Sequence, residues 1–128
     1  MTAARWAQQE LLERNPTAEL RIYAVWFNMY PGDARSKWPA AILTDPRVTH
    51  YWDEQRALGE YYLGQLPAIV DRRASATLQP AADAMWDAFF LHGPGQRWAE
   101  PLPSPLLWGY PIMVTRDQLL GELRGLLK

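Results

Sequence analysis

The stretch LRIYAVWFNM, residues 20–29, decides how this sequence is read. It is almost continuously apolar, β-branched and aromatic, with Arg21 as its only charge. A strand that faces water on one side alternates apolar and polar residues, whereas a strand covered on both faces does not. The run therefore predicts a strand in a parallel sheet covered by helices. Pro31, Gly32 and Asp33 break it, and Asp33 is placed to cap the next helix.

Upstream, Trp6, Leu11 and Leu12 form the apolar positions of a helix whose polar positions are Gln8, Gln9, Glu10, Glu13 and Arg14. Pro16 ends it, because the residue before a proline is pushed out of the helical region. Downstream, residues 34–43 predict a short helix with Trp38, Ala41 and Ile42 on one side, kinked or begun at Pro39. After a turn at 44–46, VTHYW at 48–52 reads as a short strand. Asp53 then caps a helix over 54–70, interrupted near Pro67. Residues 71–84 read as a loop. WDAFFL at 86–91 is a further apolar strand, and the HGPG turn at 92–95 returns it through Gln96, Arg97 and Trp98 as a hairpin. Residues 99–107 contain three prolines, which excludes a central strand there. A short irregular strand is expected within 108–114. Thr115 is placed to cap a last helix over 116–127, with Leu119, Leu120, Leu123, Leu126 and Leu127 as its apolar stripe. Alternation of this type predicts one α/β layered domain over 1–128.

Composition narrows the chemistry. A net charge of −1 gives no bulk attraction to nucleic acid or to an anionic membrane. No apolar run approaches the ~18–20 residues that cross a bilayer, and the N-terminal residues lack the pattern of a signal peptide, so a cytoplasmic location is expected. The chain has no cysteine, which excludes disulfides, thiolate nucleophiles, zinc–thiolate sites and iron–sulfur clusters within it. There is no glycine-rich phosphate loop and no G-x-S-x-G elbow, and no cofactor is expected.

The polar candidates are few. His50 lies between Asp45 and Asp53, and a histidine with two carboxylates can move protons or hold a divalent cation. The same two aspartates are equally explained as turn and cap residues, and two histidines in the chain are too few for an ordinary metal site, so no metal is expected. His92 stands at a strand end, where open α/β folds place functional groups, and reads otherwise as a turn histidine bonded to backbone. Asp87, set in an apolar strand, needs a partner such as Arg97 or Arg47. The seven tryptophans serve core packing or, through Trp26, Trp38, Trp52 and Trp98, an aromatic binding surface.

Five phrases in order, ARWAQQELLERNP (4–16), LRIYAVWFNMYPGD (20–33), DPRVTHYWDEQRALG (45–59), MWDAFFLHGPGQRW (85–98) and TRDQLLGEL (115–123), resemble a bacterial group of thioredoxin-like proteins. The resemblance runs along nearly the whole chain. It implies a thioredoxin-like layered domain, a mixed sheet flanked by helices, in which LRIYAVWF follows the active-site helix, WDAFFLHG opens the hairpin and residues 116–127 form the final helix. It also implies a reactive Cys-x-x-Cys at the start of the helix over 4–14, at or just before Met1. This sequence departs from the pattern there, and the N-terminal, central strand of the sheet is missing with the cysteines. Either the chain begins late or it is a naturally cysteine-free member. The familiar proline before the hairpin strand is also not evident, since Met85 precedes Trp86.

The resemblance therefore implies redox-protein ancestry without thiol–disulfide activity in these residues, and leans away from an enzyme. A strand gap between LRIYAVWF and WDAFF implies direct pairing of the two, an exposed edge, or a homo-oligomer that covers it. Two other readings stand beside it: a noncatalytic protein-binding or oligomerising module, and a small hydrolase or metal-binding protein built on His50, Asp53 and His92.

Overall fold

Residues 2–27, 42–75, 84–97 and 103–127 are described by a computed structural model of the chain. The chain forms a mixed α/β structure whose contacts divide it into two units, Met1–Leu58 and Gly59–Lys128.

The first unit opens with α1, Thr2–Trp6, which runs on into wider π-type turns over Ala7–Glu13. Leu11 and Leu12 are its buried residues, as the amphipathic spacing predicts. The helix stops before Pro16, where the Asn15 side chain donates to the Leu11 carbonyl at 2.9 Å. That end is held from outside as well. The Arg47 guanidinium donates to the carbonyls of Leu12, Asn15 and Ala18 at 2.8–3.0 Å. Each of these carbonyls also accepts a backbone amide, and the guanidinium adds a second donor and a positive charge at the negative end of the helix dipole.

Strand β1, Ile22–Trp26, pairs in parallel with β2, Val48–Trp52, each residue of one opposite one of the other from Ile22↔Val48 to Trp26↔Trp52. The strand expected over 20–29 is thus shorter. It is also not covered equally on both faces: Tyr23 on β1 and Tyr51 on β2 are 46% and 47% exposed and stack at 6.3 Å. The helix expected over 34–43 lies almost wholly outside the described residues.

The second unit takes in most of α2, Ala57–Gln65, and a tighter 3₁₀ stretch, Leu66–Arg72. Pro67 sits in the first turn of that stretch, where a missing N–H does least harm, so the expected interruption is a change of helix type. Gly59 lies against Ala84 and Met85, and the Met85 amide donates to its carbonyl at 3.0 Å.

Strand β3, Phe89–Leu91, pairs antiparallel with β4, Leu107–Gly109. This corrects two expectations. The strand begins three residues later than 86, because Asp87 takes a left-handed turn with φ +50°. The returning strand is Leu107–Gly109, beyond the proline-rich segment, and Gln96 and Arg97 stay outside it. Trp108 also bridges Arg73 in parallel, and the Ala74 amide donates to its carbonyl at 2.8 Å. The strands therefore pair as two separate two-stranded sheets, where a single mixed sheet was expected.

Helix α3, Ile112–Leu126, follows a cis Tyr110–Pro111 bond. It starts at Ile112, so Thr115 is a buried helical residue and no cap. Its hydroxyl donates back to the Pro111 carbonyl at 2.9 Å. Thr115, Leu119 and Leu123 form the buried line at four-residue spacing, while Leu126 and Leu127 at the fraying end are exposed.

Candidate functional site

The predicted polar residues fall in different surroundings. In the first unit, register places Ala24 opposite His50 and Trp26 opposite Trp52, so these four share one face of the β1–β2 pair. The Trp26 indole donates from Nε1 to His50 Nδ1 at 3.0 Å, and the two rings stack at 6.2 Å with 12° between their planes. An indole N–H can only donate, so Nδ1 accepts and the imidazole hydrogen sits on Nε2. Nε2 is 3.0 Å from the Leu43 carbonyl, which takes that hydrogen. Both nitrogens of a neutral His50 are therefore engaged, and the ring joins β1, β2 and the segment at Leu43.

The two aspartates beside it are engaged too. Asp53 accepts from the amides of Ala57 and Leu58 at 3.0 and 2.8 Å, one on each oxygen, and starts α2. It does cap a helix as expected, from further back than a conventional cap residue. Asp45 is bound to Arg47 through both the side chain and the amide of that residue, and these bonds hold its carboxyl well below its ordinary value, at about 2. Trp52 is half-buried on the His50 face. Trp38 and Trp98 lie outside the described residues.

In the second unit His92 follows β3. Its Nε2 is 3.1 Å from the Tyr62 hydroxyl on α2, and its Nδ1 is buried without a hydrogen-bond partner among the described residues. Tyr62 stacks on Phe90 at 3.7 Å, and Phe90 in turn faces Trp108 at 6.2 Å. The Trp108 indole donates to the buried Ile69 carbonyl at 2.8 Å. Burial raises the Tyr62 phenol to about 12 and lowers the His92 imidazole. Asp87 stands before β3 and forms no ion pair among the described residues, and Arg47 is paired with Asp45.

Sequence reasoning missed Tyr62 and Arg47. The first lies within an expected helix with no local mark of a partner, and the second enters the sequence reading only as a partner for Asp87. Among the described residues no group of three His, Cys, Asp or Glu side chains is placed to hold a metal ion, and no helix is long and apolar enough to cross a membrane. Comparison with protein families, curated proteins and solved structures finds no match to the chain.

Proposed function

We propose that this chain is a thioredoxin-like domain of redox-protein ancestry that acts without thiol–disulfide chemistry, as a noncatalytic module that binds proteins and pairs with its own kind. The observation that carries this reading is the open side of β3. Among the described residues Phe89–Leu91 pairs with β4 alone, and no strand occupies its other edge. An apolar strand edge presents backbone donors and acceptors that a second chain can complete by strand addition.

Two further features support the reading. The order helix, parallel pair, helix, antiparallel pair, helix is a mixed α/β order, which is compatible with this reading. The chain has no thiolate to form a mixed disulfide. A hydrolase or metal-binding reading gains less, since His50 and Asp53 already have all four of their side-chain donor and acceptor atoms bound.

Light scattering from micromolar to millimolar concentration tests the self-association, with amide exchange measured alongside. The expected result is a dimer whose β3 amides exchange more slowly than in the dilute protein. A monomer at every concentration, with unchanged exchange, overturns it. Insulin reduction by dithiothreitol tests the chemistry: the expected rate equals that without protein, and acceleration contradicts the noncatalytic assignment.

A further inference from the structure

Tyr62 and His92 are joined by one hydrogen bond, 3.1 Å long, and each is otherwise enclosed by ring surface or left without a polar partner. The sense of that bond comes from counting what each arrangement leaves unmet. If Tyr62 donates to Nε2, the imidazole hydrogen sits on Nδ1 and is the single unsatisfied group. If Nε2–H donates to the phenol oxygen, both the phenol hydrogen and the Nδ1 lone pair lack partners. Each unmet buried polar group costs free energy, so the first arrangement, with one rather than two, is favoured.

In that state the Nε2 lone pair is the imidazole's only site for a second proton, and Tyr62 occupies it. Protonation turns the acceptor into a donor, strips the phenol hydrogen of its partner and places a full charge where Nδ1–H has nothing to bind. Among the described residues, the groups packed on Tyr62 do not offset this. From α2 come Tyr62 and, edge-on to it, Tyr61; from β3 comes Phe90; from β4, behind Phe90, comes Trp108. None of these is charged at neutral pH. Burial alone holds the His92 imidazole below its ordinary value, with no charged group contributing.

We propose that His92 is a proton-controlled latch: neutral, it ties the end of β3 to α2 through Tyr62, and protonated, it lets that end go. A group with a depressed folded value loses its contribution on acidification. The tie is at full strength above 6.5, the ordinary imidazole value, and is lost as pH falls through the lower folded value.

The chain has two histidines, so NMR shows two imidazole signals, and His92→Gln identifies the one at issue. The Leu106 amide, bonded to the Leu91 carbonyl at 2.7 Å, reports the state of the β3 end by hydrogen exchange. The expected result is a His92 midpoint below 6.5, with Leu106 protection declining between 6.5 and that midpoint. Each unit by which that midpoint lies below 6.5 appears as about a tenfold loss of protection at low pH. Tyr62→Phe keeps the ring stack and removes the bond, and it is expected to shrink the change. A His92 midpoint at or above 6.5 overturns the proposal. So does Leu106 protection that stays constant across that interval, or a decline of the same size in Tyr62→Phe. The wild-type comparison stands whether or not His92→Gln folds.

Discussion

Arg47 grips Asp45 with two contacts, Nε to Oδ1 at 2.9 Å and Nη2 to Oδ2 at 2.8 Å, and turns its remaining N–H groups on the end of the first helix. The fork geometry of a guanidinium allows both at once, which an ammonium group cannot reproduce. Arg47→Ala is expected to lower stability by about 1–3 kcal/mol, the cost of losing the charged bonds from the guanidinium to the three carbonyls and to Asp45. Arg47→Lys should recover only part of this. Urea unfolding checks both, with the midpoint falling and the slope unchanged.

The same pair sets an acid limit. Asp45 is held at about 2 against an ordinary 3.8, first by the Arg47 side-chain bonds and then by the Arg47 amide. A carboxyl depressed in the folded state contributes above its unfolded value and loses that contribution as pH falls through the folded one. Unfolding midpoints should therefore decline between pH 3.8 and about 2 in the wild type. Asp45→Asn should remove this part of the decline, and an unchanged acid profile in that variant contradicts the assignment.

Gly109 has no room for a side chain. A β-carbon there would land on the Thr115 hydroxyl and the Phe89 ring, and lie 2.8 Å from Thr115 Cβ. Neither neighbour is a flexible chain end. Gly109→Ala is expected to cost about 1–3 kcal/mol by overpacking, read as a lower melting temperature with weakened β3–β4 amide protection.

Trp26→Phe keeps an aromatic ring over His50 but removes the donor to Nδ1. A cost of about 1–2 kcal/mol is expected from the lost bond and the unmet imidazole nitrogen. The His50 imidazole resonances should shift with it, and His92 resonances should not.

Gly121 is exposed on α3, with nothing within 4 Å of where a β-carbon would stand. Gly121→Ala is expected to stabilise by about 0.5–1 kcal/mol, because alanine loses less backbone freedom in a helix. Thermal melting checks this, and a destabilised variant would show that α3 packs against something on that side.

The parts legible in the sequence were those set by neighbouring residues. VTHYW gave β2 to the residue, Pro16 marked the end of the first helix, and Asp53 announced α2. What depended on distant partners was hidden. The β3–β4 pairing joins segments separated by a proline-rich stretch, and prolines argue against strands only where they stand. Thr115 has the chemistry of a cap, but it is spent within the helix on the Pro111 carbonyl four residues back. Of the candidate site, His50 was visible as a residue, but its Trp26 partner lies 24 positions away. Tyr62 lies 30 positions from His92, and no local pattern links them.

Among the described residues, the bridge from Arg73 to Trp108 leaves the β3–β4 sheet a valence of one. Among the described residues the chain bridges the far side of β4 with its own backbone at Trp108, and the edge left without a strand is that of β3. A ribbon open on both sides can add members without end. A ribbon with one side plugged accepts a single guest, and two copies meeting there exhaust each other's capacity. Under the proposed pairing at β3, growth through this sheet would stop at a closed pair, and the plug would protect against fibres as well as covering a strand.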